Sequence, residues 1–149
     1  MFESCFERVE AFKKKFPLAV CWRIRQHSEV IEKHLNPNEQ LLFAFAGQLN
    51  EGKWHLFDTA VIALTSERIM IGHKGLIYGY NYLTVTPDMY NDLTVKAGLI
   101  WGTIILDTVK EKIVISNLDK SSLPEIETHI TMFMEEAKKQ YPNREKKGK

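Results

Sequence analysis

Seven short apolar segments between Gln40 and Ser116, joined by short polar or glycine-containing turns, constrain this chain more than any other feature. Strands connected so closely lie side by side and run antiparallel, because a parallel connection needs a crossover of a dozen or more residues. The sequence therefore predicts an antiparallel meander of seven strands. The predicted strands cover residues 41–46, 55–65, 69–71, 78–86, 93–97, 102–107 and 112–116.

The second predicted strand shows little alternation of apolar and polar residues from Phe57 to Leu64. A strand with one face in water alternates, whereas a strand covered on both faces reads as a continuous apolar run. We therefore expect other elements of the chain to cover both faces of this strand.

A helix follows the strands. Ser122 and Glu125 have the spacing of a capping box, and Pro124 falls in the first turn, where a missing N–H is tolerated. Apolar residues at helical spacing predict one buried stripe: Leu123, Ile126, Ile130, Phe133, Met134 and Ala137. The helix is predicted to end near Tyr141, and residues 142–149 are predicted to form a disordered basic tail.

Two further helices are predicted before the strands. The first carries an apolar stripe and ends at Pro17, because a proline disfavours helical geometry in the residue before it. The second is predicted from Leu18 or Ala19 to Leu35. Together they form a helical hairpin over residues 1–36, which we consider a candidate docking or dimerising surface.

Composition excludes several classes of protein. The 149 residues are 44% apolar and 26% charged with a formal net charge of +1, which is typical of a globular domain rather than a nucleic-acid binder. The longest apolar run, residues 99–106, is too short to cross a membrane. The first residues lack the pattern of a secretory signal, and Cys5 and Cys21 suggest small buried thiols, so we expect a cytoplasmic protein.

Two segments resemble a known family. The turn within Ala63–Ile71 and the segment Gly98–Thr108, followed by the helix from Ser122, are similar to bacterial pleckstrin-homology-like domains, in particular the YokE-like group. The resemblance implies an α+β, mainly β fold: a bent seven-stranded antiparallel sheet or partly open barrel, capped by the C-terminal helix. This domain would span residues 37–141, after the hairpin over residues 1–36.

The resemblance also suggests where a ligand would bind. The lipid-binding version of this fold holds a phosphorylated headgroup with basic residues on neighbouring loops, because charge-assisted hydrogen bonds offset the desolvation of phosphate. The candidate ligand-binding residues at these loops are Lys53, Trp54, His55, His73, Lys74 and Lys110. The first loop contains one lysine beside Glu51, which is few cations for such a ligand.

Catalytic and metal-binding patterns are not recognisable in the sequence. No pair of histidines with Cys, Asp or Glu has the spacing of a metal site, and no phosphate loop or Ser-His-Asp order is found. We therefore predict no metal, no cofactor and no enzymatic activity. Trp54 and Trp101 could be exposed anchors, but core packing is favoured, and the row Tyr78, Tyr80 and Tyr82 is interpreted as sheet packing.

The function predicted from these observations is a non-catalytic interaction module that binds a protein or peptide partner and self-associates. The alternative is peripheral binding to an anionic membrane surface through Lys53, Trp54, Lys74 and Lys110. The basic tail is interpreted as a solvated end. No nucleic-acid partner is expected.

Overall fold

The computed structural model describes residues 4–49, 59–75 and 79–147. Its helices are α1 (Cys5–Lys15), α2 (Ile24–His34) and α3 (Leu123–Lys147). Its strands are β1 (Leu41–Leu49), β2 (Thr59–Thr65), β3 (Ile69–Lys74), β4 (Tyr80–Val85), β5 (Tyr90–Ala97), β6 (Trp101–Thr108) and β7 (Lys112–Asp119). No helix in the described part of the chain is long and apolar enough to cross a membrane.

The seven strands form one antiparallel sheet in the order β4-β3-β2-β1-β7-β6-β5. β1 pairs with β2 over most of its length but with β7 only at its last two residues, Gln48 and Leu49. The sheet therefore curls into a half-barrel at the end of β1, with β4 and β5 at its edges. The predicted seven-stranded antiparallel fold with helices at both ends of the sequence is confirmed.

The concave face of the sheet is filled by α3. Its apolar stripe is buried against a cluster of large side chains that includes Phe45, Ile62 and Ile104. The chain enters α3 through a short 3-10 turn, in which the Asp119 carboxylate accepts the Ser121 N–H at 2.9 Å. Glu125, predicted to complete a capping box, pairs instead with Lys15 at 2.6 Å. α3 continues to Lys147, beyond its predicted end at Tyr141.

The convex face of β1, β2 and β3 is covered by α1 and α2. Their buried residues form a second apolar cluster with side chains of the sheet, three of which are alanines: Cys5, Val9, Ile31, Ala44, Ala46, Val61, Ala63 and Met70. Every residue of β2 is buried. The expectation that β2 is covered on both faces is therefore confirmed, and the N-terminal helices supply one of the two covers.

α2 begins at Ile24, several residues later than the sequence predicts. Residues 17–23 follow the sheet instead, because their backbone N–H groups bond to it: Val20 donates to the Asn117 carbonyl and Trp22 to Thr59 Oγ1, both at 2.9 Å. Arg23 then turns the chain with a left-handed backbone (φ 55°), and its guanidinium donates to the carbonyl of Lys74 at 3.1 Å. These contacts outweigh helix propensity in this segment.

Candidate functional site

The turn between β2 and β3 carries the residues of the family resemblance, and they form a buried ion-pair network. Arg68 donates to both carboxylate oxygens of Glu39, from Nε at 2.9 Å and from Nη2 at 2.8 Å. Nη2 also donates to the His34 carbonyl at the end of α2, at 2.8 Å. Arg68 therefore ties the turn to α2 and to the segment before β1.

Charge in this network is stabilised on both partners. Burial by itself would raise the pKa of Glu39, but the hydrogen bonds from Arg68, the Asn36 N–H and Thr65, with the Arg68 charge, outweigh burial and lower it. The hydrogen bond to Glu39 likewise raises the pKa of Arg68 against the effect of burial. The guanidinium is thus already engaged within the protein, and the motif has a structural role.

Beside this network lies a groove between α3, the β2–β3 turn, the start of β1 and the end of β4, which we name the α3 groove. Its volume is about 720 Å³, within the range of small-ligand and peptide side-chain pockets. Its lining residues are Asn36, Leu42, Phe43, Leu64, Ser66, Glu67, Arg68, Thr84, Thr86, Pro87, His129, Met132, Phe133, Glu136 and Ala137.

The α3 groove combines apolar side chains with a polar margin. Leu42 and Met132, which both line it, are 50% and 59% exposed. The His129 ring, also in the lining, stacks on Phe43 with centroids 4.0 Å apart and an interplanar angle of 11°. Exposed apolar residues facing one concavity, with carboxylate and hydroxyl groups at its margin, can bind an apolar side chain and hydrogen-bond its flanking backbone.

Those candidate ligand-binding residues that the structure describes do not lie together. Lys53, Trp54 and His55 lie outside the described residues. Lys74 lines a cavity of about 240 Å³ with His34 and Tyr80. Lys110 lines another cavity, of about 340 Å³, between β4 and the turn that follows β6. The two described lysines of the predicted set are therefore in different cavities.

His73, the remaining predicted residue, is part of the contact between α2 and the sheet. Its ring stacks on His27 with centroids 4.9 Å apart, and its Nδ1 donates to the Thr59 carbonyl at 2.7 Å. The N–H of Lys74 donates to Nδ1 of His27 at 2.8 Å. Burial, followed by the nearby His73 and Arg23, lowers the pKa of His27 to about 4. His27 is therefore neutral near pH 7, as its acceptor role requires.

The aromatic predictions have mixed outcomes. Tyr82 stacks on the His34 ring of α2 with centroids 4.2 Å apart, whereas Tyr80, 5.3 Å from the same ring, is 57% exposed, and Tyr78 lies outside the described residues. Core packing of Trp101 is wrong: its side chain is 43% exposed. β6 alternates between the two faces of the sheet, and Trp101 falls on the convex face, beyond the strands that α1 and α2 cover.

Both cysteines are free thiols, and Cys5 is buried as expected. Burial, with the charge of Glu32 nearby, raises the pKa of Cys5 to about 12, so this thiol is protonated and unreactive at neutral pH. Over the described ranges, the structure has no cluster of three or more His, Cys, Asp or Glu side chains that could hold a metal ion.

Sequence reasoning did not find the α3 groove. Its walls come from four separate segments of the chain, and Met132 lies off the apolar stripe of α3. The only available signals were single exposed apolar residues at positions that no periodicity requires, and such residues are common on protein surfaces.

Solved structures with a similar fold are found by comparison. The fold is similar to a pleckstrin homology domain from Shewanella amazonensis SB2B, with a TM-score of 0.50 and 13% identity, covering 83% of this chain and 98% of that one. A DUF1696 family protein with a pleckstrin-homology domain from Shewanella loihica PV-4 has a TM-score of 0.49 and 16% identity, covering 85% and 92%.

The family follows from the sequence match. Residues 35–131 match the bacterial PH domain family, so the chain belongs to that family. No curated protein matches the chain. At these identities the solved structures define the fold alone. The matched residues include the β2–β3 turn and the first part of α3, but not Met132, Phe133, Glu136 and Ala137, which line the α3 groove beyond the match.

Proposed function

We propose that this protein is a non-catalytic interaction module that binds a protein or peptide partner in the α3 groove. The observation that carries the proposal is the concavity of about 720 Å³ between α3 and the β2–β3 turn, with Leu42 and Met132 exposed on its walls. A peptide side chain placed between them would remove both from water. Burying an apolar side chain of this size contributes about 1.5–3 kcal/mol.

The frame around the α3 groove supports this role. The Arg68–Glu39 pair holds the β2–β3 turn to the segment before β1, and His129 of α3 stacks on Phe43 of β1. A rigid, preformed groove loses little side-chain entropy on binding. Thr84 and Glu67 at the margin supply an acceptor or donor for the backbone of a partner.

The alternative function, lipid binding at the loops, has less support from the described residues. Its two described lysines, Lys74 and Lys110, line different cavities, whereas a phosphorylated headgroup requires converging cations. Docking through α1 and α2 is likewise not favoured, because their apolar faces pack on the sheet. Self-association, membership of the YokE-like group and a cytoplasmic location remain parts of the proposal that rest on the sequence alone.

A peptide selection tests the proposal. The full chain is immobilised and used to select from a displayed library of random peptides, and each enriched peptide is then titrated against Met132→Glu. We expect peptides with a common apolar anchor whose affinity falls about tenfold in the variant, because a charge replaces an apolar contact.

The matched control is Leu99→Glu, which introduces the same charge at an exposed leucine outside the α3 groove. It should leave peptide affinity unchanged. Both residues are exposed, so neither substitution threatens the fold. Failure to enrich any common anchor, or equal affinity for wild type and Met132→Glu, would contradict the proposal.

A further inference from the structure

The two edge strands of the sheet, β4 and β5, differ in how they are protected against further pairing. Natural proteins protect edge strands with charged residues and with bulges. β5 has both, because it carries Asp92 and Lys96 and its register with β6 shifts between Tyr90 and Asp92. β4 has neither: Tyr80–Val85 contains no charged residue, and its register with β3 has no shift. β4 is therefore the edge that is open to another strand.

A cavity of about 340 Å³, which we name the edge cavity, lies along β4. Its lining residues are Tyr82, Leu83, Thr84, Val85, Met89, Thr108, Lys110, Glu111 and Ile113. The residues from Tyr82 to Val85 are consecutive, and consecutive residues of a strand point to opposite faces of a sheet. Leu83 and Val85 pack in the concave apolar cluster, whereas Tyr82 packs in the convex one. A cavity that contacts both sets lies beside the strand rather than over one of its faces.

The opposite wall of the edge cavity is the turn after β6, and hydrogen bonds hold this turn in place. The Thr108 hydroxyl donates to the Glu111 carbonyl at 2.7 Å and accepts the Glu111 N–H at 3.0 Å. The Val109 N–H donates to the Met89 carbonyl at 2.9 Å, which ties the turn to the segment after β4. An added strand lies about 4.7–4.9 Å from its neighbour. A single extended segment can occupy this position, whereas the edge of a second folded sheet would bring its further strands against the turn.

We propose that β4 accepts an extended peptide segment of a partner protein as an eighth strand. The N–H and C=O groups that β4 does not use to pair with β3 bond the backbone of the peptide. On the concave side the peptide meets the apolar side chains of Leu83, Val85 and Met89, and on the other side it meets Tyr82 and Thr84. The segment therefore alternates apolar residues with polar ones, because cross-strand neighbours share a face.

This binding mode rests on the proposed function, because it states how the peptide partner of the α3 groove lies on the sheet. The edge cavity and the α3 groove share Thr84, and the groove continues to Thr86 and Pro87 at the end of β4. A peptide paired along β4 thus reaches the α3 groove with a side chain beyond the paired stretch.

A backbone scan of the peptides enriched on the full chain tests the pairing. Each backbone N–H of an enriched peptide is replaced in turn by N-methyl, and the dissociation constant of each derivative is measured. Methylation at every second residue should weaken binding about fivefold or more, because it removes a hydrogen bond to β4. The intervening positions point away from β4, change little, and are the matched controls within the same peptide.

Amide hydrogen exchange of the full chain, with and without saturating peptide, gives the readout on the protein. We expect slower exchange at alternate amides of β4, because a strand directs every second N–H toward its new neighbour. β5 is the internal control and should exchange at an unchanged rate.

The outcomes separate this pairing from the α3 groove. Methylation effects without a period of two, or slower exchange in β5 instead of β4, would overturn the pairing, while the groove is tested by Met132→Glu. A period of two together with wild-type affinity for Met132→Glu would support the pairing and contradict the groove. Failure to enrich any peptide would overturn both.

Discussion

The two faces of the half-barrel are covered by helices in different ways. On the concave face, α3 meets large side chains such as Phe45 and Ile62, and the core is filled by apolar volume. On the convex face, the cluster under α1 and α2 contains Ala44, Ala46 and Ala63 beside Val61 and Met70, and α2 approaches the sheet closely at Gly72. Close approach of small residues buries less apolar area, and specific polar contacts have a larger share in fixing these helices.

The polar contacts of the convex side are the Arg68–Glu39 pair, which reaches the end of α2, and the bond from the Lys74 N–H to His27. Substitutions on the two sides should therefore destabilise the protein for different reasons. The convex side should respond to lost charge partners and to pH, whereas the concave side should respond to added or removed volume.

The largest effect is expected on removing the charge partner of a buried carboxylate. Arg68→Ala leaves Glu39, whose side chain has no exposure, without its guanidinium. Breaking a buried pair in this way costs about 3–5 kcal/mol of unfolding free energy, measurable by urea denaturation.

The control is the double variant Arg68→Ala with Glu39→Gln, which removes the stranded charge. It should be more stable than Arg68→Ala alone, because a neutral amide costs less to bury than an unpaired carboxylate. If Arg68→Ala lowers the unfolding free energy by less than about 1 kcal/mol, the network contributes little to the stability of the convex side.

The next effect concerns pH. The pKa of His27 is lowered to about 4 in the folded protein from an ordinary value of 6.5. Between these values the unfolded chain binds more protons than the folded one, so the unfolding free energy falls as pH decreases through this window. The loss from this residue is at most about 3 kcal/mol.

His27→Asn keeps an acceptor for the Lys74 N–H and does not titrate, so its unfolding free energy should change less with pH over the same window. The difference between the two urea-denaturation series isolates the contribution of His27, because the carboxylates titrate in both. Identical pH dependence in wild type and His27→Asn would refute this assignment.

The smallest losses of stability are expected at two glycines, one facing α3 on the concave side and one facing α2 on the convex side. A Cβ at Gly102 would lie 2.4 Å from Cδ1 of Leu123 and 2.8 Å from its Cγ, on the concave side. A Cβ at Gly72 would lie 3.1 Å from Val30 and Ile31 of α2. Gly102→Ala should cost about 1–3 kcal/mol by overpacking, and Gly72→Ala about 1 kcal/mol or less.

Thermal unfolding of the two glycine variants measures this difference. The reverse order, with Gly72→Ala the more damaging, would show that the convex side is packed more tightly than the concave side.

The sequence predicts the helices and strands well, but it does not show which helices cover each face of the sheet. Strand alternation and short turns predict the meander, and the stripe through Ile126 and Ile130 predicts that α3 is buried, because these signals are local. The unbroken apolar run of β2 predicts two covers but does not name them. α1 and α2 pack partly on Ala44, Ala46 and Ala63 of the sheet, and alanine carries little hydrophobic signal.

The proposed binding surface was harder to predict for the same reason. The α3 groove joins segments far apart in the chain, such as Leu42 with Met132. The basic loop residues were chosen by resemblance, yet His73 is engaged with His27 and Thr59, and Lys74 and Lys110 are in different cavities. Tertiary folding decides such neighbours, and local patterns do not contain them.

The central claim is that α1 and α2 are an integral cover of the sheet, which leaves the α3 groove as the proposed binding surface. Amide hydrogen exchange of the full chain tests it most directly, since it reports the free energy of opening each element. We expect the buried amides of α2 to exchange with an opening free energy within about 1 kcal/mol of those in β2 and β3. Fast exchange throughout α2, with β2 and β3 still protected, would contradict the claim and make the N-terminal helices a detachable device.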